Sequence, residues 1–460
     1  MSHTISHPAE RGVPRAGEHR GLLDRALGLV ADVRGGEGVT ALLLMLNIFF
    51  LLASYYLLKT IREPLILSQP GGAEVKSYAA AAIAGVLIVL VPIYSAIASR
   101  VSRVKLINGV TLFFILCLIG FFMADRVGYA VGTIFFIWVG IFNLMVIAQL
   151  WAFANDVYTV DQGKRLFAIV GVGASLGAIA GSFVTGKLVK AFGPYPFMLA
   201  AAAILGICMV LTNLINLREK RGAEGQPETP GDKAAAEDAP AAGDEKDAKR
   251  SGFALVLTNK YLLLIAALMI LSNLVNTTGE YILGKTIVNV LTAQGAAVDE
   301  EKAIGAFYGN YFTIVNIVSF VIQAFVVSRV LKWFGVRTAL LVLPVVALIG
   351  YASMAFVPIL SFIRGAKIAE NSLDYSLQNT TRNALYLPTS RAAKYKAKQA
   401  NDTFFVRLGD VLSAGLVFAG TTWLAFKPTD FARVALALIL IWLGIAFALG
   451  RMFQRQAKTA

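Results

Sequence analysis

Long apolar runs separated by short charged segments constrain this sequence more than any other feature. Each run is close to the 20 or so residues that a helix needs to cross a hydrocarbon core of about 30 Å. Of the 460 residues, 57% are hydrophobic and only 15% are charged. A soluble domain cannot bury that much apolar surface, because its exterior must be covered by polar groups. The pattern predicts an all-α membrane protein.

Twelve candidate transmembrane helices fall into two sets of six. The first set lies near 39–60, 77–98, 105–124, 128–154, 165–190 and 194–217, and the second near 255–278, 304–330, 337–359, 361–387, 402–425 and 430–450. The chain is therefore divided into an N-terminal tail (1–38), a six-helix half (39–217), a linker (218–252), a second half (253–450) and a C-terminal tail (451–460). Ala, Pro, Gly and charged residues dominate the linker, which predicts disorder. Apolar residues on one face of 22–33 fit either an interfacial helix or a frayed tail.

An internal repeat supports the division into halves. The segment YYLLKTI at 55–61 is matched by YILGKTI at 281–287, which would follow the seventh span. A weaker echo relates GVGASLGAIAG at 171–181 to RLGDVLSAGLVFAG at 407–420. Two pseudo-repeats in the same orientation are typical of major-facilitator carriers.

The net charge of +14 is interpreted as a signal of topology rather than of nucleic-acid binding. Basic residues gather after spans two, four, eight and ten and at the end of the chain, whereas the alternate loops contain fewer. Cytoplasmic loops carry such an excess of Lys and Arg. We expect a multi-pass protein of the bacterial inner membrane, with both termini in the cytoplasm.

Charged residues inside spans mark candidate binding sites, because each costs about 2.5–3.5 kcal/mol at the centre of a membrane helix. Lys59 and Arg62 share one face of the first span, and Glu63 is placed to pair with Lys59. This is either a site for an anion or a pair of cations reaching for the membrane edge. Spans four and eleven add Asp156, Arg407 and Asp410.

Span ten has one strongly polar face, which favours a transport cavity over a structural seam. Its polar residues recur at steps of three and four: Arg364, Lys367, Asn371, Asp374, Gln378 and Arg382.

The sequence contains no catalytic or cofactor motif in a convincing context. A glycine–lysine pattern at 181–187 resembles part of a phosphate-binding loop but lies inside an apolar helix. Gly173, Gly177 and Gly181 are better explained as a stripe on which another helix packs closely. All three histidines lie in the N-terminal tail. We expect no enzyme activity, no metal and no cofactor.

Three segments resemble the bacterial and plastid-type nucleotide transporters, the ATP/ADP translocase family. They are YYLLKTIREPLIL (55–67), WAFANDVYTVDQGKRLFAIVGVGA (151–174) and DYSLQNTTRNALYLPTSRAAKYKAKQANDTFFVRLGD (374–410). The last segment is the most specific of the three. The resemblance implies a major-facilitator-like fold and exchange of ATP for ADP.

The resemblance also assigns roles to individual residues. Arg62 stands in place of the family's first-span lysine, Asp156 in place of its fourth-span glutamate, and Arg382 in place of its tenth-span lysine. The family's seventh-span glutamate is Asn276 here, with Glu280 one turn later.

We expect an alternating-access carrier for an anionic, phosphate-bearing solute. The residues expected to bind this solute are Lys59, Arg62, Asp156, Asn276, Glu280, Lys367, Asp374 and Arg382. Asp156 would pair with a cavity cation and release it when the solute binds. One alternative is a proton- or sodium-coupled symporter that titrates Asp156, Glu280 or Asp374. Another is a membrane scaffold without transport activity. The expected partners are the small anionic solute and the lipid bilayer, with no nucleic acid, and the expected assembly is a monomer.

Overall fold

A computed structural model describes residues 31–34, 37–98, 100–223, 250–295, 299–390 and 393–459. Within these ranges, every regular element is helical. The first half contains α1 (Gly38–Leu67), α2 (Gly72–Ala98), α3 (Arg103–Arg126), α4 (Gly132–Val157), α5 (Val160–Phe192) and α6 (Pro196–Ala223). The second half begins with a short α7 (Gly252–Thr258), which is followed by the long α8 (Lys260–Ala293).

The remaining helices of the second half are interrupted by π-helical turns. A turn at Ile322–Val326 joins α9 (Glu300–Val321) to α10 (Val327–Phe356), and a turn at Asp374–Gln378 joins α11 (Leu360–Leu373) to α12 (Asn379–Ala384). Two more turns, Ala393–Ala397 and Asn401–Phe405, flank α13 (Lys398–Ala400) and lead into α14 (Val406–Thr422). The chain then forms α15 (Pro428–Thr459).

Side-chain caps begin several of these helices. The Thr159 hydroxyl accepts a hydrogen bond from the Gln162 backbone N–H, and the Gln162 side chain accepts one from the Thr159 N–H, at the start of α5. At the start of α8, the Asn259 side chain accepts from the N–H groups of Tyr261 and Leu262. These bonds satisfy donors that have no partner within the helix.

The described chain contains ten helical segments that are long and apolar enough to cross a bilayer. Large apolar side chains stand exposed on the outer faces of the bundle, including those of Ile88, Leu116, Phe192 and Phe356. A bilayer solvates such a surface, whereas water does not. The prediction of an all-α membrane protein is confirmed.

The helices differ from the predicted spans in several places. Predicted spans eight and nine form one 57-residue helical segment, Glu300–Phe356, in which Gly335 departs from helical geometry with φ 73°. The predicted seventh span corresponds to α8, which continues to Ala293. The repeat at 281–287 therefore lies inside this helix and not after it. Predicted span ten is too polar to count among the ten apolar segments.

The predicted tails and linker fall largely beyond what the structure describes. Residues 1–30, which include most of the possible interfacial helix at 22–33, lie outside the described residues. So do 224–249 of the predicted linker, whose first residues continue α6 as far as Ala223. At the other end, α15 continues through the predicted C-terminal tail to Thr459.

Glycine lets α5 pack directly on the backbone of α1. A Cβ atom at Gly173, Gly177 or Gly181 would lie 2.5, 2.2 or 2.3 Å from a carbonyl oxygen of α1. The interpretation of these glycines as a packing stripe is therefore confirmed. In the second half, Gly409 of α14 approaches α8 in a similar way, and a Cβ atom there would lie 2.7 Å from the Ile270 carbonyl oxygen.

Replacing Gly181 with alanine is expected to destabilise the protein by about 1–3 kcal/mol, because the added methyl group meets the Ala53 backbone. Gly171→Ala, in the same helix, is the matched control. No atom lies within 4 Å of its Cβ position, so it should be neutral or slightly stabilising. Thermal unfolding in detergent compares the two variants. Equal melting temperatures would contradict the packing argument.

The two halves meet at one end of the bundle. Gly186 of α5 and Gly309 of α9 touch, with a Cβ at Gly309 only 2.3 Å from the Gly186 Cα. Tyr78 of α2 packs edge-on against Phe418 of α14 at 6.3 Å between ring centroids. These contacts join the N-terminal parts of α2 and α9 to the C-terminal parts of α5 and α14. We call this end, where α1 passes into α2, the closed end.

Candidate functional site

A polar cavity of about 250 Å³ lies between the two halves. Residues of both halves line this cavity. They come from α1, α2 and α4 on one side, and from α8, α9, α11, α14 and the turn Asp374–Gln378 on the other. Its charged lining comprises Lys59, Arg62, Glu63, Lys76, Glu280, Arg407 and Asp410. Charges in such a position are expensive unless they face water, a partner or a ligand.

A chain of alternating charges crosses from the first half to the second. Glu63 Oε1 lies 3.1 Å from Arg62 Nε, and Glu63 Oε2 lies 2.6 Å from Lys76 Nζ. Lys76 Nζ is also 3.8 Å from Glu280 Oε2. The chain links α1, α2 and α8, and each carboxylate in it has a cation on either side.

The chain of alternating charges continues behind the cavity wall. Lys367 Nζ lies 3.7 Å from Glu280 Oε1 and 2.8 Å from Glu370 Oε2. Lys367 also donates to the Asn276 carbonyl oxygen at 3.2 Å. Asn371 donates to Glu280 at 3.0 Å and accepts from Asn276 at 2.7 Å. Lys367 and Glu370 are both buried, so the second half holds this part of the chain rigidly.

A second ion pair lines the cavity from α14. Arg407 donates to Asp410 Oδ2 at 3.0 Å. The other oxygen, Asp410 Oδ1, accepts from Asn273 and Thr277 of α8, both at 2.8 Å. Both carboxylate oxygens of Asp410 therefore already have hydrogen-bond partners.

Lys59 has a different environment from the other cavity cations. Its ammonium donates to the Tyr375 hydroxyl at 3.2 Å. It also lies 4.6 Å from the centre of the Phe312 ring and 5.0 Å from that of Tyr56. The expected pairing of Lys59 with Glu63 is wrong, because Glu63 pairs with Arg62 and Lys76 instead. Cation–π attraction stabilises the Lys59 charge in place of a carboxylate.

The structure brings some of the predicted site residues together and separates others. Lys59, Arg62, Asn276 and Glu280 line the cavity, and Lys367 lies directly behind it. Asp374 and Arg382 pair with each other at 3.6 Å and are not part of the lining.

Asp156 lies apart from the cavity in this conformation. Its carboxylate pairs with Arg103 at 2.9 Å, and both side chains are about half exposed. Asp156 is the second-to-last residue of α4, which ends at Val157. The expected pairing of Asp156 with a cavity cation is therefore not what the structure contains.

Lys76 and Tyr375 are cavity residues that sequence reasoning missed. Lys76 lies one residue before the predicted span at 77–98, but α2 begins earlier, at Gly72, and includes it. Tyr375 lies beside Asp374 in predicted span ten. The polar face of this span is defined above by charged and amide side chains, so it does not include a tyrosine. A lysine one residue before an apolar run was the available signal for Lys76.

The two copies of the repeated sequence motif lie in α1 and α8. Tyr55 and Lys59 lie in α1, and their counterparts Tyr281 and Lys285 lie in α8. Lys285 pairs with Glu74 of α2 at 2.8 Å, and Tyr281 donates to the same carboxylate at 2.9 Å. The lysines of the two motif copies therefore have different partners.

Relatives with similar sequences carry the name that the motifs suggested. The chain is 26% identical over 355 residues to ADP,ATP carrier protein 1 of Chlamydia trachomatis, covering 68% of this chain and 63% of that carrier. It is 22% identical over 346 residues to ADP,ATP carrier protein 1 of Rickettsia bellii, covering 68% and 66%. The chain thus spans less than two thirds of the length of these relatives. The resemblance to this transporter family is confirmed.

Solved structures with a similar fold include transporters. The nucleoside transporter NupG has a TM-score of 0.58 and 15% identity, covering 91% of this chain and 99% of that one. A POT family transporter in complex with 5-aminolevulinic acid has a TM-score of 0.60 and 15% identity, covering 89% and 96%. At these identities the likeness concerns the fold alone. The sequence profile of the Major Facilitator Superfamily matches residues 44–368, more than half of the chain, and the protein belongs to that superfamily.

Proposed function

We propose that this protein carries phosphate-bearing nucleotides across the bacterial inner membrane, exchanging one for another by alternating access. The observation that carries the proposal is the environment of Lys59. Among the described residues of the cavity lining, Arg62, Lys76 and Arg407 each have a carboxylate partner, whereas Lys59 has rings and a hydroxyl. A cation without a carboxylate partner can pair with a phosphate without first giving up a carboxylate, and charge-assisted hydrogen bonds of this kind are strong.

Arg62 would be the second phosphate ligand. It lines the same cavity, and its guanidinium lies over the Phe136 ring at 4.4 Å. Arginine presents several donors in one plane, which suits phosphate oxygens. Its partner Glu63 also contacts Lys76, so Glu63 keeps a cation when Arg62 turns towards the cargo. Arg382, Asp374 and Asp156 lie outside the cavity lining in this conformation, so we assign them no direct role in cargo binding here.

The relatives named ADP,ATP carrier support nucleotides as the cargo. Asn276 stands where the resembling family has glutamate, and it donates to Asn371 and Glu370. The lining therefore retains Glu280 as its acid on α8. Loss of one acidic group leaves the phosphate-binding cations in place.

The architecture that we propose has twelve transmembrane helices in two six-helix halves. The segment Glu300–Phe356 would extend about 85 Å as a straight helix, which is enough for two crossings of a core of about 30 Å. Its break at Gly335 marks the turn between them. The polar helix that begins at Leu360 supplies the twelfth span, since polar helices are stable in a membrane when they line a cavity.

The orientation that we propose places both termini and the 218–252 linker in the cytoplasm. The basic loops support it through the excess of Lys and Arg on the cytoplasmic side. With α1 starting in the cytoplasm, the closed end faces away from the cytoplasm. The cavity would then open inwards in this conformation.

Transport into proteoliposomes tests the proposal directly. Labelled ATP, ADP and inorganic phosphate are offered to vesicles that are either empty or preloaded with unlabelled nucleotide. Uptake of ATP or ADP should depend on internal nucleotide and should persist when a protonophore collapses the proton gradient. Uptake into empty vesicles that stops with the gradient would favour a proton-coupled symporter instead. Vesicles without the protein are the control.

A further inference from the structure

Lys59 is almost fully enclosed, although it faces the cavity. Its side chain is only 7% exposed. Rings of Tyr55, Tyr56, Phe312 and Tyr375 lie 6.0, 5.0, 4.6 and 5.2 Å from the ammonium. A phosphate needs direct access to the ammonium to form a charge-assisted hydrogen bond. One wall of this enclosure must therefore move before a phosphate can bind.

Tyr375 is the wall of this enclosure with the most room to move, because it is the most exposed of the four rings. Tyr55, Tyr56 and Phe312 are no more than 8% exposed, whereas Tyr375 is 41% exposed. Tyr375 also belongs to the π-helical turn Asp374–Gln378. Such turns hold the backbone less regularly than an α-helix and are frequent at functional sites. The three other rings are fixed by packing.

The contact between Lys59 and Tyr375 joins the two halves. Lys59 belongs to α1, and Tyr375 lies in the polar segment of the second half. The hydrogen bond between them, at 3.2 Å, uses the ammonium that the cargo phosphate requires. A phosphate that displaces the Tyr375 hydroxyl would therefore break one link between the halves.

We infer that Tyr375 covers the Lys59 ammonium when no cargo is bound, and that displacement of its hydroxyl by a cargo phosphate releases this link between the halves. Tyr375 is thus a positioning residue that couples cargo binding to the movement of the halves. The inference rests on the proposed exchange of nucleotides. It explains how exchange is enforced, since a carrier without cargo remains linked and returns slowly.

Tyr375→Phe removes the hydroxyl and keeps the ring. Proteoliposomes are loaded with labelled ADP, and efflux is measured with and without external ATP. For the wild type, efflux should require external ATP. The efflux ratio is the rate without external ATP divided by the rate with external ATP. For Tyr375→Phe this ratio should rise about tenfold, because a hydrogen bond to a charged group contributes at least that factor. Its Kd for ADP should fall, because the phosphate no longer competes with a hydroxyl.

Tyr395→Phe is the matched control, since Tyr395 also lies in a π-helical turn of the second half and is exposed. Its efflux ratio should equal that of the wild type. An unchanged ratio for Tyr375→Phe would overturn the inference and leave the proposed function intact. Wild-type efflux that ignores external ATP would instead overturn the proposed exchange, and the inference with it.

Discussion

Replacing Lys59 with methionine is expected to weaken nucleotide binding by about 10- to 100-fold, because it removes a hydrogen bond to a charged group that contributes about 1.5–3 kcal/mol. Methionine has a similar length and no charge, so the enclosure of rings around position 59 remains filled. Equilibrium binding of labelled ADP to the purified protein in detergent measures the effect. Because binding is measured without transport, slow movement of the halves does not affect the result.

The control for Lys59→Met is Lys187→Met. Lys187 is an exposed lysine of α5, outside the cavity lining, and its loss changes the net charge by the same amount. Lys187→Met should bind ADP with wild-type affinity. If Lys59→Met also binds ADP normally, then the phosphate site lies elsewhere, and the proposed role of Lys59 is wrong.

Lys367→Met is expected to destabilise the protein by about 3–5 kcal/mol, the usual result of removing one partner of a buried ion pair. Lys367 is fully buried and lies between Glu280 and Glu370. Its loss leaves Glu370 beside the Asn276 amide alone, and a buried carboxylate without a cation is costly. Thermal unfolding in detergent measures the loss.

The double variant Lys367→Met/Glu370→Gln separates charge from packing. Glutamine keeps the shape of Glu370 without its charge, so the double variant should recover most of the lost stability. Buried pairs replaced together by neutral side chains are often close to neutral in their effect. A double variant as unstable as Lys367→Met would show that lysine packing, and not the ion pair, is what the fold requires.

Sequence reasoning succeeded where the bilayer dictates the pattern. A membrane helix must present apolar side chains to lipid along its whole length, so its residues reveal it without knowledge of the fold. The glycine stripe of α5 was recognisable for a similar reason, since only small residues allow two backbones to approach closely. The polar face of the helix that begins at Leu360 was recognisable because charge in a membrane is costly.

Partners across the cavity depended on tertiary structure. Sequence spacing placed Glu63 beside Lys59, one helical turn away, but Glu63 contacts Lys76 of the next helix. Helical spacing describes neighbours on one helix and carries no information about the side chains that a second helix brings. Arg62 and Arg382 have equivalent standing in the family motifs, yet Arg62 lines the cavity and Arg382 pairs with Asp374.

The amino-acid sequence by itself determined the membrane environment, the helices and the presence of costly charges inside them. Each of these follows from the local composition of a segment and the solvent that surrounds it. Only the tertiary structure decided that Lys59, among the described cavity cations, has aromatic rings and a tyrosine hydroxyl beside it but no carboxylate partner. Tyr375 lies 316 residues further along the chain, and the packing of one half against the other brings the two side chains together.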